Sequence, residues 1–392
     1  MIPTSQAELQ QAPPAVVVPR ARYYVLDCVR LFAMLMMMQG HTIDALLSRE
    51  FVAMDQFPWT IWQFIRGLTA PVFLLISGAV HVYATKRGAD GRVPRELLQR
   101  RLRWALTLIG IGYMMTFPAD DFIDVFWMPA SGFFRFWQIN ILQLSGAALL
   151  MLMAAFMLTR NNRSLQTLSL TMGFGIIAAT PFVHAVDWFA HIPAFMANYL
   201  THINGSLFPV FPYAAYLFLG VSIGRFLQWL PAERREERFG LSMLGAGLLI
   251  VAAALSMEHS ATAWLPAHDH WHSGPTFMLE RLGWSLVFIG AATGVYLLTR
   301  RLDKHYVTLG SKALHIYIAH LILLYGTPWY AGYAKTHFQQ MTLWQSLLAA
   351  VLVIGVCIGG VYIYEYWKRE RRILWSVLRY TAAGALIYAL IF

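Results

Sequence analysis

The sequence predicts an all-α polytopic membrane protein with about eleven transmembrane helices and a cytoplasmic N-terminus. Three observations lead to this fold class. The chain is 58% hydrophobic and only 13% charged, whereas a soluble globular protein is typically about 45–50% apolar and about 25% charged. Its apolar residues form segments of about 20 residues, the length that crosses a bilayer as a helix. Its basic residues are distributed unequally between the two sides of these segments.

The predicted spans divide the whole chain after a polar N-terminal segment. Residues 1–19 are rich in Pro and Ala and contain no apolar core, so we expect a disordered lead-in rather than a signal peptide. No soluble domain fits between the spans, which predicts a single transmembrane domain over residues 20–392. The predicted spans are residues 24–46, 59–85, 102–117, 139–159, 165–182, 209–227, 239–257, 281–299, 312–330, 342–366 and 373–392.

The distribution of Lys and Arg predicts the orientation. With the N-terminus inside, 23 of the 30 basic residues lie in cytoplasmic segments and four on the opposite side. Basic loops stay cytoplasmic, so this asymmetry supports both the spans and the orientation. Topology then accounts for most of the net charge of +10, and we expect a lipid bilayer but no nucleic acid as a partner. The absence of a signal peptide and of long outer domains favours a bacterial inner membrane.

The first predicted span carries ionisable residues well inside the membrane-spanning segment. Arg30 and His41 are eleven residues apart, which returns to within about 20° of the same helix face. Asp27 lies one turn before Arg30, and Asp44 lies one turn beyond His41, so each basic group has a possible carboxylate neighbour. An ionisable group inside a span is costly unless it is paired or functional. We therefore predict a catalytic stripe along this helix.

His41 is the candidate catalytic residue of that stripe. A neutral imidazole can take a proton from an attacking hydroxyl or amine, with Asp44 orienting it. It can also carry an acyl group covalently. The alternative is a structural histidine that is hydrogen-bonded to a neighbouring helix.

Five motifs carry a resemblance to known families. Arg30, ten residues and His41 resemble the signature of the acyltransferase-3 family. Four further segments resemble the heparan-alpha-glucosaminide N-acetyltransferase type of membrane protein. They are residues 64–73 with 76–78, residues 139–146, residues 206–213 ending at 219–220, and residues 309–317 closing with His320.

The resemblance implies a transmembrane acyltransferase fold and an activity. It implies that an acetyl or other acyl group moves from a cytoplasmic acyl-CoA to a sugar or glycan acceptor on the far side of the membrane. Arg100 and Arg103 share a helix face before the third span and repeat an Arg-X-X-Arg pattern of the acyltransferase-3 family. Because Arg donates paired hydrogen bonds to phosphate, we expect them to bind the donor. The alternative is anchoring to anionic headgroups. The sequence leaves open whether the protein forms a homodimer.

Further polar residues lie in other spans. Arg66, in the second span, is predicted to line the acyl path near His41, or else to be a structural partner of Asp44 or Asp55. A kink is predicted at Pro71, and Gly78 should let another helix approach closely.

Asn140 and Gln143 are one turn apart and are candidates to line the substrate cavity, with interhelical hydrogen bonding as the alternative. His320, in the ninth span, is a second candidate acid or base and is assigned to the same cavity.

Two alternative functions compete with the acyltransferase hypothesis. One is a transporter or flippase that uses the Arg30–His41 stripe as a substrate or proton path, although no convincing internal repeat is present. The other is a family member that acts only as an assembly partner.

The alternating histidines His268, His270 and His272 suggest a metal, but a zinc site usually needs a further fixed ligand. We therefore expect no metal.

Overall fold

The protein is mostly helical in the computed structural model. The structure describes residues 22–53, 55–119, 121, 123–257, 265–327 and 329–391, so the predicted lead-in over residues 1–19 lies outside it. The helices in these ranges are α1 (Tyr24–Leu46), α2 (Trp59–Gly67), α3 (Thr69–Tyr83), α4 (Arg95–Met115), α5 (Ile141–Leu158), α6 (Asn162–His184), α7 (Ala194–Leu200), α8 (Val210–Trp229), α9 (Arg235–Met257), α10 (His270–Ser273), α11 (Pro275–Leu298), α12 (Asp303–Ser311), α13 (Ala313–Tyr325), α14 (Tyr333–His337), α15 (Leu343–Glu370) and α16 (Arg372–Ile391). An antiparallel ribbon of β1 (Gly326–Thr327) and β2 (Tyr330–Ala331) follows α13.

Helices lie at all eleven predicted span positions, which confirms an all-α polytopic architecture at the coarse level. Among the described residues, seven helical segments are long and apolar enough to cross a membrane. A bent pair of helices, Arg300–Ser311 and Ala313–Tyr325, would make an eighth if it crosses as one broken span. The seven apolar helical segments are Trp59–Tyr83, α5, α6, α8, α9, α11 and α15. The total of eleven spans and the cytoplasmic N-terminus remain predictions.

The predicted second span is broken before its proline rather than at it. Helix α2 ends at Gly67, and α3 begins at Thr69. Pro71 has no backbone N–H, so it cannot donate to the carbonyl of Gly67 four residues earlier. Regular bonding resumes when Val72 N donates to Leu68 O at 3.0 Å. The break therefore separates Arg66, on α2, from the apolar body of α3.

Helix α1 packs against several other helices and carries much of the core. It contacts α3, α11, α12, α13 and α15. Met34 and Met38 in its middle are fully buried. Because α1 is surrounded by protein, its ionisable residues face neighbouring helices instead of lipid, as the cost of charge in hydrocarbon requires.

Glycines bring α3 and α8 into close contact, as we predicted from the position of Gly78 in the sequence. A Cβ at Gly78 would meet the carbonyl oxygen of Leu217, and a Cβ at Gly220 would meet that of Leu75. Small residues at such interfaces allow helix backbones to approach closely. The contact holds α3 rigidly along α8, and α3 carries His81 near its end.

Candidate active site

The centre of the candidate site is a pair of histidines from α1 and α13. His41 Nδ1 lies 3.1 Å from His320 Nε2, and His320 is completely buried. His320 Nδ1 lies 3.1 Å from the carbonyl oxygen of Ile316. A carbonyl only accepts, so Nδ1 of His320 carries the proton, and its Nε2 accepts from His41 Nδ1–H. This network leaves His41 Nε2 without a proton, and its lone pair is free.

Aromatic rings surround the two imidazoles. The ring centroid of Tyr325 lies 6.3 Å from that of His41, and its hydroxyl donates to the His41 carbonyl at 3.4 Å. Tyr317 packs edge-on to His320 with centroids 5.4 Å apart. The α13 residues His320, Tyr317 and Tyr325 therefore hold His41 in position across the helix interface.

An ion pair lies beside His41. Arg66 Nη1 lies 3.0 Å from Asp44 Oδ1, and Arg49 Nη2 lies 3.4 Å from the same oxygen. Gly40 makes room for this arrangement, because a Cβ there would come within 2.8 Å of the Arg66 side chain. The guanidinium of Arg66 also lies over the ring of Trp62 at 4.8 Å.

The predicted role of Asp44 needs correction. We expected Asp44 to orient His41, but its carboxylate pairs with the arginines of neighbouring segments. A permanent cation attracts a carboxylate more strongly than a neutral imidazole does. His320 occupies the orienting position instead, and the structural alternative for Arg66, a partner of Asp44, is the observed contact.

A cavity with a mixed polar and apolar lining opens at the His41 end of α1. It has a volume of about 830 Å³, and Tyr325 belongs to its wall. Arg135 and Lys335 line it as well, whereas His41 and His320 do not, so Tyr325 is the residue that connects this cavity to the histidine pair. Such a cavity is large enough for a sugar unit.

Arg30 lies in a separate cluster toward the other end of α1. Its Nη1 is 3.8 Å from Asp27 Oδ1, whereas Arg22 binds the same carboxylate through two nitrogens at 2.7 and 3.0 Å. Eleven residues of helix place Arg30 about 16 Å from His41. Arg30 therefore lies in the Asp27 cluster and does not contact the histidine pair.

A second cavity lies between α3 and α4, with a volume of about 450 Å³. Arg100 and Arg103, the predicted donor ligands, line it together with His81. The ring of Tyr83, at the end of α3 near His81, lies 6.1 Å from that of Tyr23, which precedes α1, so this cavity lies at the Arg30 end of α1. The two cavities therefore lie at opposite ends of the α1 stripe.

Arg101 is a residue of this cavity that our sequence reasoning missed. It is 9% exposed, whereas Arg100 and Arg103 are exposed. Its Nη2 donates to the His81 carbonyl at 2.9 Å and to the Thr85 hydroxyl. Its Nη1 is buried without a hydrogen-bond partner. The signal was the helical spacing of Arg101 with Ala105 and Leu108, which are the buried face of α4.

Asn140 and Gln143 form the N-terminal cap of α5. Asn140 is the N-cap of α5, and its side chain accepts from Leu142 N at 3.1 Å. Gln143 Oε1 accepts from Asn140 N at 3.3 Å, which completes a capping box. Neither residue contacts the histidine pair. Asn140 Oδ1 and Gln143 Oε1 satisfy the helix N-terminus, whereas Gln143 Nε2 is buried without a hydrogen-bond partner. The assignment of both residues to the substrate cavity stays a prediction.

Comparison with known proteins adds one match. The family model described as heparan-alpha-glucosaminide N-acetyltransferase, catalytic, matches residues 22–268. The matched region contains His41, Arg66 and Arg101 and ends before α13, so His320 lies beyond it. No curated protein matches the chain significantly.

Proposed function

The chain belongs to the heparan-alpha-glucosaminide N-acetyltransferase family, and on that premise we propose that it moves an acetyl group from acyl-CoA to a sugar across a membrane. Family membership makes the chain an acetyltransferase and does not favour the transporter alternative. The observation that carries the proposed mechanism is the His41–His320 contact, because it leaves His41 Nε2 free to react.

The donor is proposed to bind between α3 and α4. CoA carries several phosphates, and Arg100, Arg101 and Arg103 line one cavity there. A buried guanidinium with a free Nη1 supports an anionic ligand, because a buried donor without a partner costs free energy. Since 23 basic residues are predicted to lie inside, we assign this end of the molecule to the cytoplasm.

The acceptor is proposed to bind in the cavity at the His41 end. The hydroxyl of Tyr325 and the cations Arg135 and Lys335 offer hydrogen bonds to a sugar or glycan. This assignment places donor and acceptor on opposite sides of the membrane. The acyltransferase-3-like superfamily remains our proposal for the fold, based on the Arg30 and His41 spacing.

His41 Nε2 is the proposed reactive atom in either of two routes. In the direct route it takes the proton as the acceptor amine or hydroxyl attacks the thioester carbon. The C–S bond then breaks, and CoA leaves as a thiolate that takes up that proton. In the covalent route Nε2 attacks the thioester carbon, the C–S bond breaks, CoA leaves as a thiolate, and the Nδ1 proton passes to His320 Nε2. The acceptor then attacks the acetyl carbon, and the bond from this carbon to Nε2 breaks. The proton on His320 returns to Nδ1, and the proton that the acceptor loses balances the one that the CoA thiolate takes up.

The test uses purified full-length protein, radiolabelled acetyl-CoA and glucosamine as the acceptor probe. We expect wild-type protein to form acetylated sugar and His41→Ala to lose it, by roughly 100-fold or more. His191→Ala is the matched control, because His191 is exposed and lies outside both cavities. Full activity in His41→Ala would overturn the proposal. Label retained on His41 after a quench without glucosamine identifies the covalent route, and its absence identifies direct transfer.

A further inference from the structure

A cluster of metal-ligand side chains lies at the same end of the molecule as His41. His202 follows α7, Asp269 precedes α10, and His272 belongs to α10. One candidate ligand atom from each of these residues lies within 4.8 Å of the others. We infer that His202, Asp269 and His272 bind a divalent transition metal of the zinc type.

The three side chains of the cluster contact one another. The rings of His202 and His272 stack with centroids 4.4 Å apart and an interplanar angle of 13°. His272 Nδ1 lies 2.6 Å from Asp269 Oδ2. Two imidazoles and a carboxylate are a ligand set typical of zinc. The parallel stack offers no hydrogen bond between the His202 and His272 imidazoles, so a metal would supply the link that these two rings lack.

Unsatisfied nitrogens point to a ligand. His202 Nδ1 is buried without a hydrogen-bond partner, and so is Nδ1 of His184 at the end of α6. The ring centroids of His184 and His202 lie 5.0 Å apart. His184 Nε2 lies 3.0 Å from the carbonyl oxygen of Phe211, so this nitrogen is the donor and Nδ1 keeps a lone pair. Metal-bound histidines commonly donate their other N–H to a carbonyl in this way. His184 is therefore the candidate for a fourth ligand, and it lies outside the group whose ligand atoms are within 4.8 Å of one another.

The geometry requires only a small closure. Zinc holds imidazole nitrogens at about 2.0–2.1 Å, so tetrahedral ligand atoms lie roughly 3.4 Å apart. The separation of up to 4.8 Å must close by about 1.4 Å, and the 2.6 Å contact between His272 Nδ1 and Asp269 Oδ2 must open, which side-chain rotation can supply. The bound metal would join α10 to α6 and to the segment before α8, elements that already contact one another.

The sequence expectation of no metal considered only the three alternating histidines of this segment. Of the three alternating histidines, only His272 belongs to it. His268 Nδ1 lies 2.8 Å from the Pro266 carbonyl, and His270 packs on Phe277. The further ligands come from His202 and His184, which only the fold brings to α10.

The test measures metal content and thermal stability, which are independent of acetyl transfer. Full-length protein is purified without a polyhistidine tag, stripped with a chelator and titrated with ZnCl₂. We expect one zinc per chain, a higher thermal midpoint with zinc, and the visible absorption of tetrahedral Co²⁺ after substitution. His272→Ala and Asp269→Asn should lose the metal, whereas His268→Ala should keep it.

Two results would overturn the inference. One is a stripped wild-type protein that binds no zinc at an equivalent concentration and gains no stability from it. The other is a full equivalent of zinc retained in both the His272→Ala and His202→Ala variants. If a variant fails to fold, the wild-type titration and Asp269→Asn still decide the outcome. Loss of transferase activity in His41→Ala with zinc still bound separates this site from the proposed function.

Discussion

His320 Nε2 lies 3.1 Å from His41 Nδ1, although 279 residues separate the two histidines. His320 is buried and donates its other nitrogen to the backbone, so it fixes both the rotamer and the tautomer of His41. A reactive imidazole needs its orienting group to select the nitrogen that stays unprotonated. The interface between α1 and α13 therefore defines the proposed reactive atom.

We expect His320→Gln to lower kcat for acetyl transfer by roughly 10- to 100-fold, less than His41→Ala does, because His320 positions His41 without touching the substrate. The KM for acetyl-CoA should change little. Steady-state kinetics on purified protein measure both parameters. His315→Gln is the control on the same helix, since its ring packs against Tyr364. An unchanged kcat and pH profile in His320→Gln would contradict the assignment.

We expect Arg101→Lys to raise the KM for acetyl-CoA by roughly 10-fold with a smaller effect on kcat. Lysine keeps the charge but loses the planar fork that binds phosphate through two hydrogen bonds. Competition by CoA and by CoA without its 3′-phosphate measures the phosphate contact directly. Arg95→Ala is the control, because Arg95 begins the same helix and does not line the cavity. Equal donor affinity in both variants would remove Arg101 from the donor site.

We expect Asp44→Asn and Arg66→Gln to be non-additive. Their side chains meet at 3.0 Å and are each about one-third exposed, so the coupling energy should be modest, about 1 kcal/mol. A double-mutant cycle on kcat/KM for the acceptor and on thermal stability measures it. Arg49→Gln serves as the comparison, since Arg49 meets Asp44 at a longer distance and is half exposed. Strict additivity of the two changes would show that the ion pair does not support His41.

We expect Gly78→Ala to lower the free energy of unfolding by about 1–3 kcal/mol. Its Cβ would meet the carbonyl of Leu217, and a backbone neighbour cannot move aside as a flexible side chain would. Thermal unfolding in detergent gives the direction of the change. Gly110→Ala in α4 is the matched control, because nothing lies within 4 Å of its Cβ position. That control should be neutral or stabilised by up to about 1 kcal/mol. A destabilised control with an unchanged Gly78→Ala would reverse the interpretation.

The helical architecture was predictable from local pattern. The bounds of α1 agree with the predicted span at both ends, because apolar runs and their flanking polar residues are local signals. The helix breaks at Leu68, three residues before the predicted kink at Pro71. The reason is that a proline leaves the carbonyl four residues before it without a hydrogen bond from its own nitrogen. The family was also predictable, because its motifs lie in order along the chain.

Local sequence pattern was enough to predict the α1 stripe, with Arg30 and His41 at their separation, and the basic residues at the start of α4. It did not determine their partners. Helical periodicity constrains which residues share a face of one helix, but nothing local says which helix covers that face. The tertiary structure decided that His320 orients His41, that Asp44 pairs with Arg66, and that Arg101 is the buried arginine. Partner choice depends on packing between segments far apart in the chain, and only the folded protein supplies that packing.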